Sequence, residues 1–207
     1  MRIEGVQPLK SAFLSVEKDM MIITKKILEN KRLQRLLYYT DKNPTSSSKA
    51  EVSPEMAVQL FGRNIKITPK MHIDKEVLNY IFISFDNFIP NENNPQYRNN
   101  QIAFDIICHN DQWQLSDFQL RPYRIAAEID TMFNNQKLTG IGTLQFLGAA
   151  NINVNDEFSG ITIFYAAIHG DEDKNSYLAQ STEQEQKAFE EAFVKRFGNL
   201  EEEASDE

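Results

Sequence analysis

The sequence predicts an α+β protein with a mixed, mainly antiparallel β-sheet, a long β-hairpin, and a central and an N-terminal helix packed on the sheet. Three observations predict this fold class: amphipathic helical repeats near the N-terminus and mid-chain, two strand-like stretches separated by an asparagine-rich loop, and further strand-like stretches after the second repeat. At 207 residues, 41% of them hydrophobic, the chain is long enough to bury one core. We therefore expect one folded body with extensions.

Two helices are predicted in the N-terminal part of the chain. In residues 11–28, charged residues separate apolar side chains that recur at three- and four-residue steps, which is typical of an amphipathic helix. A second helical stretch ends near Tyr39. The polar residues 41–49, which include the sequence TSSSK, indicate an exposed loop after the second helix.

A third, short helix is predicted to begin at Pro54 and to end near Gly62. Ser53 can cap this helix, proline suits its first position, and the carboxylate of Glu55 favours the positive end of the helix dipole. Residues 64–68 then indicate a short strand, which the proline that follows would stop.

The middle of the chain predicts a long β-hairpin. Residues 77–88, VLNYIFISFDNF, carry aromatic and β-branched residues on both alternating sets of side chains, which is typical of a central strand covered on both faces. Residues 90–100, PNENNPQYRNN, contain two prolines and five asparagines and indicate a loop. Residues 101–109 resume the alternation of a strand, with four side chains pointing one way, namely Ile102, Phe104, Ile106 and Cys108.

The central helix is predicted over residues 121–134, with Pro122 in its first turn. Its apolar stripe should pack on the sheet and consists of Ile125, Ile129, Met132 and Phe133. The turn TGIG ends the helical region, because glycine permits close approach or positive φ. Residues 143–147 and 152–154 form either one bent strand or two, and residues 160–168 form another buried strand.

Charge divides the chain into three predicted parts. Residues 1–49 form a basic helical segment with an excess of five positive charges, residues 50–170 form the α+β core domain with an excess of five negative charges, and residues 171–207 form an acidic extension with an excess of eight. The net charge of −8 disfavours nucleic-acid binding as the main task. The basic cluster on the outer face of the second helix is either a solvated surface or a contact for an acidic partner, and consists of Lys31, Arg32 and Arg35.

The acidic extension carries one more predicted helix. Thr182 and Glu185 form a capping box before an aromatic stripe at four-residue steps, namely Phe189, Phe193 and Phe197. This stripe has to be buried either on the body of the protein or on a partner. The last seven residues, EEEASDE, are expected to be disordered.

The sequence also predicts the compartment. No apolar run approaches the roughly 20 residues that a membrane-spanning helix needs. The start of the sequence lacks the layout of a signal peptide. The single cysteine, Cys108, cannot form an internal disulfide, which agrees with a reducing compartment. We therefore expect a protein made in the cytoplasm, with no membrane partner.

Metal and cofactor sites are not indicated by the residue spacing. The histidines, His72, His109 and His169, show no known ligand pattern, and a histidine at a strand end is more often a polar cap. Gly140 and Gly142 form only GxG, which lacks the remainder of a phosphate-binding loop. We expect no metal and no cofactor.

The acidic residues do not form a catalytic pair in the predicted elements. Glu128 and Asp130 lie two positions apart on a helix and therefore point in different directions. Asp86 and Asp105 lie on neighbouring strands, but the acid-x-lysine of a metal-dependent nuclease does not follow them. Cys108 lies in a strand, where it fits as a small apolar residue. We expect that the chain is not an enzyme.

The order of a hairpin, a helix and further strands resembles the tail-terminator and tail-completion proteins of long-tailed bacteriophages. The resemblance covers residues 77–169 and is carried by FISFDNFIPNENNPQYRNNQIAFDIICH, RPYRIAAEIDTMFNN, GIGTLQF and FSGITIFYAAIHG. It implies a tail-terminator-like fold and a homohexameric ring in the virion neck, assembled in the host cytoplasm. Such a ring caps the tail tube and gives the head connector a docking surface, without catalysis. Residues 30–75 and the acidic C-terminal helix extend beyond the usual plan of that family.

The partners implied by this resemblance are other copies of the chain, the tail tube and tail sheath, and the head connector or head-closure protein. DNA passes through such a ring without sequence-specific recognition. Opposite charges at the two ends of the chain are compatible with head-to-tail contacts in a ring. The candidate interface residues are Asn93, Asn94, Tyr97 and Arg98 of the hairpin loop, Arg121 and Arg124 at the start of the central helix, and Phe189, Phe193 and Phe197.

Other interpretations stay open at this point. The hairpin loop is equally well explained as a solvated tip. A head-closure or connector component is the alternative within phage assembly. A small metal-dependent nuclease and an unrelated host-directed binding protein are the alternatives from other classes.

Overall fold

A computed structural model describes residues 12–74, 76, 78–90, 92, 98–138, 142–169, 187 and 191–196. The α+β fold class predicted from the sequence is confirmed. The helices are α1 (Ala12–Glu29), α2 (Lys31–Tyr38), α3 (Pro54–Gln59) and α4 (Arg121–Phe133), and residues 191–196 are also helical. The strands are β1 (Ile65–Ile67), β2 (Asn79–Pro90), β3 (Arg98–His109), β4 (Lys137–Leu138), β5 (Gly142–Thr143), β6 (Gln145–Asn153) and β7 (Phe158–His169).

Five strands form one sheet in the order β1-β2-β3-β7-β6, and β4 pairs with β5 in a separate two-stranded sheet. β1 runs parallel to β2, and the other neighbours are antiparallel. The predicted hairpin is confirmed, because β2 and β3 pair from Asn79 and Cys108 to Pro90 and Arg98. β2 is an interior strand beside the middle of the sheet, which β3 occupies. β6 is one strand with a register irregularity after Phe146.

One face of the sheet, called here the helix-covered face, packs against the helices. The main core contains alternate residues of the strands, such as Ile83 and Phe104, together with Ile125, Ile129 and Phe133 of α4. The rings of Phe104 and Phe133 stack with their centroids 5.4 Å apart. The apolar stripe predicted for the central helix therefore packs on the sheet as expected.

Helices α1 and α2 belong to this same core. Ile23, Ile27 and Leu33 are fully buried in it. Asn30 separates the two helices and caps α2, since its side-chain oxygen accepts a hydrogen bond of 2.9 Å from the backbone N–H of Leu33. Helices α1 and α2 of the basic N-terminal segment therefore share one hydrophobic core with the α+β core domain.

The prediction that Arg35 lies on the outer face of α2 is wrong. Its side chain is 11% exposed, and its guanidinium donates to the backbone oxygens of Ser46 and Lys49. Arg35 therefore binds the polar loop to α2, and its guanidinium stabilises the fold through these hydrogen bonds. Lys31 and Arg32 are exposed.

The other face of the sheet, called here the second face, carries a smaller cluster near one end. Tyr80, Phe82, Ile107 and Phe158 form this cluster. Among the described residues, those that pack against it come from the segment before β2 and from the β6–β7 hairpin, namely Met71, Ile73, Ile152 and Val154. β2 is buried on both faces, as its sequence predicts.

Two local features agree with the chemistry of their residues. Ser53 caps α3 by accepting a hydrogen bond of 3.3 Å from the N–H of Met56, with Pro54 in the first turn. Gly160 lies where β7 meets β3, and a Cβ at that position would lie 1.8 Å from the backbone oxygen of Ile106. No side chain fits there without displacing a central strand. None of the helices among the described residues has the length and apolarity to cross a bilayer.

Candidate functional site

The edge strand β6 is the most exposed part of the sheet. Among the described strands it pairs only with β7, and most of its side chains are exposed. No charged residue and no proline occurs in the sequence between Lys137 and Asp156. Edge strands usually carry charges or proline, which prevent pairing with another chain. The open edge of β6 lacks these protective residues, and it presents Phe146 and Leu147 at 47% and 58% exposure.

An apolar pocket of about 310 Å³ lies beside this edge, between α4 and the strands β6 and β7, and is called here the α4–β6 pocket. The pocket exists because the facing positions carry small side chains, Ala126 and Ala127 on the helix and Ala149 on β6. Tyr123 and Phe146 form its partly exposed aromatic lining. A concave apolar surface of this kind suits an apolar or aromatic side chain from a partner.

Two tyrosine hydroxyls fix the polar groups at this pocket. Tyr165 donates a hydrogen bond of 2.8 Å to Asp130 Oδ1, and Tyr123 donates one of 3.1 Å to Asn151 Oδ1. Burial raises the pKa of the Tyr165 hydroxyl well above its ordinary value, and the bond to Asp130 raises it further. Tyr165 therefore stays protonated as a donor. Among the described lining residues, Asp130 is the one acidic or basic residue.

A second exposed apolar feature is Phe118, the last residue of the tight turn Ser116–Phe118 that precedes α4. Its side chain is 92% exposed, and its backbone has a φ of 59°, which is rare for a bulky residue. Backbone hydrogen bonds fix the base of the turn: Ser116 N–H donates to Lys42 O at 2.9 Å and Leu115 N–H donates to Gln119 O at 2.8 Å. The turn therefore has a hydrogen-bonded backbone and exposes the phenyl ring of Phe118 to solvent.

Arg121, a candidate interface residue, is buried with 1% exposure. Its Nη1 donates to the backbone oxygens of Leu36 and Tyr39 at 2.7 and 2.8 Å, its Nη2 to Asp41 O at 2.6 Å, and its Nε to Gln112 O at 3.0 Å. Leu36 and Tyr39 lie at the C-terminal end of α2, where carbonyls lack helical partners and a cation is favourable. Arg121 was expected at an interface, but its guanidinium is buried and bonded to backbone oxygens of its own chain.

The other candidate interface residues have different environments. Arg124 is exposed, and its Nε donates to Gln119 Oε1 at 2.9 Å. Phe193 is 3% exposed and belongs to the main core, so the protein buries this aromatic residue on its own body. Arg98 begins β3, opposite Pro90 and His169, and its side chain lies outside the described residues. So do the residues Asn93, Asn94, Tyr97, Phe189 and Phe197.

The structure separates His109 from His169, and the exposed His72 lies 3.6 Å from Asp74 in the segment before β2. His109 and His169 lie at opposite ends of β3 and β7, since Arg98 pairs with His169 and His109 with Phe158. At about 3.4 Å per residue, this places their backbones roughly 35 Å apart. His109 accepts a hydrogen bond of 3.2 Å from the N–H of Asp111, which is the polar-cap role predicted for a strand-end histidine. Within the described residues, no group of three potential protein ligands is positioned to hold a metal ion.

The acidic residues also have separate partners. Glu128 lies 3.4 Å from Arg32 Nε, whereas Asp130 accepts from Tyr165 on another side of α4. Asp105 accepts a hydrogen bond of 2.6 Å from the Thr162 hydroxyl, and burial raises the pKa of its carboxyl. Asp86 lies four positions further along the β2–β3 ladder. These carboxylates do not converge on one point.

Cys108 is completely buried in β3, and burial raises the pKa of its thiol to about 12. Only the thiolate is a good nucleophile, so this cysteine packs as an apolar residue. The prediction of a small hydrophobe at this position is confirmed.

A family model described as YomW matches residues 30–167, which is two thirds of the chain. The chain belongs to the YomW family. This family is phage-derived, so the chain is a phage-related protein. No curated protein matches the chain in sequence.

The YomW match runs from the residue that caps α2 into β7. It therefore includes the Phe118 turn, Arg121, the α4–β6 pocket and the whole of β6. Helix α1 and residues 191–196 lie outside the match although both contribute to the main core. The exposed apolar features thus belong to the part of the chain that defines the YomW family.

Sequence reasoning missed Phe118, Phe146, Leu147 and the pocket as surface features. The absence of charge between Lys137 and Asp156 is visible in the sequence and could have indicated an unusual strand edge. The exposure of Phe118 left no such signal, since an aromatic residue in a short turn is usually assigned to the core.

Proposed function

We propose that this protein is a structural virion protein of the phage neck, a tail terminator whose copies form a ring. The ring caps the tail tube and offers a docking surface to the head connector. The observation that carries the proposal is the exposed, uncharged edge of β6 beside an apolar pocket, because such an edge is suited to contact with another copy. Membership of a phage-derived family supports the phage context.

The same proposal assigns partners and location. The chain acts without catalysis or a cofactor, and its partners are further copies of itself, the tail tube and sheath proteins, and the head connector. It is assembled in the host cytoplasm and resides in the virion neck, where DNA passes through the ring without being read. The separation of its histidines and carboxylates gives no support to a metal-dependent nuclease.

The first test is the mass of the purified protein by light scattering across a range of concentrations. A discrete species near a hexamer of the 23.9 kDa chain is expected. The variant Leu147→Lys places a charge on the open edge and should shift this species to monomer, with its melting temperature unchanged because Leu147 is largely exposed. Gln59→Lys adds the same charge to the exposed surface of α3 and should leave the ring intact.

A second assay addresses the position in the virion. Added to polymerising tail-tube protein, the chain should stop tube growth, which negatively stained micrographs report as a narrow length distribution. Binding to the head connector without any effect on tube length would favour the head-closure alternative. A wild-type monomer at every concentration that cleaves DNA when a divalent metal is added would refute the proposal.

A further inference from the structure

We propose that Phe118 of one copy inserts into the α4–β6 pocket of the next copy. This inference rests on the proposed function, because it specifies the contact by which neighbouring subunits of the ring join. Phe118 and the pocket are separate surfaces of one chain: the phenylalanine precedes α4, and it is not among the residues that line the pocket of its own chain.

The inserting side of the contact is an exposed aromatic side chain on a hydrogen-bonded turn. At 92% exposure, Phe118 leaves nearly its whole ring in water. Its positive φ is a strained conformation for a bulky residue, and the surrounding backbone hydrogen bonds hold the backbone of the turn. Phenylalanine is enriched in protein interfaces and has few side-chain torsions to order on binding.

The receiving side has room for that anchor and shares its apolar character. A volume of about 310 Å³ lies at the lower end of ligand pockets and accommodates a single large side chain. Ala127 and Ala149 keep the walls apart, while the partly exposed Phe146 and Tyr123 offer ring edges and faces to an incoming aromatic side chain. The same residues leave the pocket apolar, so water gains few hydrogen bonds there.

Charged groups lie near both surfaces. The exposed cations Arg124 and Lys42 flank the Phe118 turn: Arg124 bonds Gln119, and the backbone of Lys42 anchors Ser116. Acidic residues lie near the turn as well, namely Asp117, Asp41 and Glu128. The pocket carries the carboxylate of Asp130 as its charged lining residue. Attraction between Arg124 or Lys42 and the Asp130 of the next copy would add to the apolar contact.

The occupant that these observations favour is a second copy of this chain. Reciprocal insertion about a twofold axis would stop at a dimer, whereas insertion that is not reciprocated repeats from copy to copy and generates a ring when the rotation between subunits closes. The ring follows from the proposed function, and the mass of the wild-type protein distinguishes it from the twofold dimer.

The test uses two variants that each remove one side of the contact. Phe118→Gly removes the phenyl side chain. The variant should still fold, because glycine adopts positive φ without strain. Ala127→Phe fills the pocket from an exposed helical position. Each variant alone should be monomeric by sedimentation velocity. Mixed in equal amounts, they should form a dimer that grows no further, since one intact turn meets one intact pocket.

Ile89→Ser is the matched control, because Ile89 is another exposed apolar residue, at 60% exposure, and is not among the residues that line the pocket. It should assemble as the wild type does. Circular dichroism melting confirms that each variant is folded. If Phe118→Gly assembles to the wild-type mass, the insertion of Phe118 into the pocket is refuted, and the proposal of a ring of subunits stays in place. The same holds for a variant mixture that stays monomeric, whereas a monomeric wild type would refute both proposals.

Discussion

The two faces of the five-stranded sheet are covered by different means, although the same strands supply both. The helix-covered face packs against α1, α2 and α4 in one continuous core. The second face has a small cluster around Tyr80 and Phe82 near one end, and beyond it the buried polar pair Asp105 and Thr162. Strand residues are buried on both faces, but the apolar contacts that stabilise the fold are concentrated on the helix-covered face.

Polar groups on the two sides differ in the same way. On the helical side Arg121 is buried with four hydrogen bonds to backbone oxygens. On the second face the Asp105 carboxylate receives one bond, from Thr162. A buried charge stabilises a fold only when its partners replace the lost water. Substitutions on the helical side should therefore lower stability, and removal of the charge on the second face should raise it.

The largest effect is expected for Ile129→Asp. Ile129 is fully buried where α4 meets the sheet, so an unpaired carboxylate there would cost on the order of 4 kcal/mol or more, a large share of the stability of a domain. We expect no cooperative thermal transition by circular dichroism. Thr131→Asp is the control, since Thr131 is exposed on the same helix. A cooperative transition near the wild-type temperature for Ile129→Asp would contradict this assignment of the helix face.

A smaller loss is expected for Arg121→Met, which keeps the apolar stem and removes all four hydrogen bonds. The buried carbonyls left without a partner should lower the free energy of unfolding by roughly 2–5 kcal/mol. Urea denaturation would measure this loss. Arg124→Met, one turn later and exposed, should change it by less than about 0.5 kcal/mol. Equal effects of the two substitutions would show that Arg121 does not join α2 to α4.

The apolar periodicity of the sequence was sufficient for the main helices and strands and for their buried faces, but not for all their bounds: residues 98–100, predicted as part of the hairpin loop, pair with β2 and β7 as the start of β3. The alternation in β3 correctly assigned Ile102, Phe104 and Ile106 to one side, and the spacing in α4 assigned Ile125 and Ile129 to the core. These patterns are local, because the alternation along one strand or the repeat of one helical turn determines which side chains share a face.

Features that depend on distant partners were not predictable in this way. Arg121 is buried because backbone oxygens some 80 residues earlier receive its guanidinium. Local pattern suggested only an exposed basic residue at a helix start. The open edge of β6 depends on the order of strands in the sheet, which the alternation of side chains does not specify. Phe118 is exposed in a turn with positive φ, a backbone conformation that side-chain periodicity does not predict.

The smallest effect, and the one of opposite sign, is expected for Asp105→Asn on the second face. Burial raises the pKa of the Asp105 carboxyl and the nearby charge of Asp86 adds to this rise, while the Thr162 hydrogen bond opposes it. The folded state therefore prefers the protonated acid. The stability that this preference contributes is complete below the unfolded pKa of about 3.9 and is lost as the pH rises through the higher folded pKa.

The asparagine side chain of this variant has the same shape as the aspartate without its charge, and its amide oxygen still accepts from Thr162. Asp105→Asn should therefore melt at a higher temperature than the wild type at pH 7, and the two proteins should converge toward pH 4. Asp156→Asn, at an exposed position of the β6–β7 turn, should not show this pattern. Thermal melts across that pH range would measure the difference. A variant less stable than the wild type at pH 7 would mean that the ionised carboxylate is well solvated, and that the second face is less closed around Asp105 than its burial indicates.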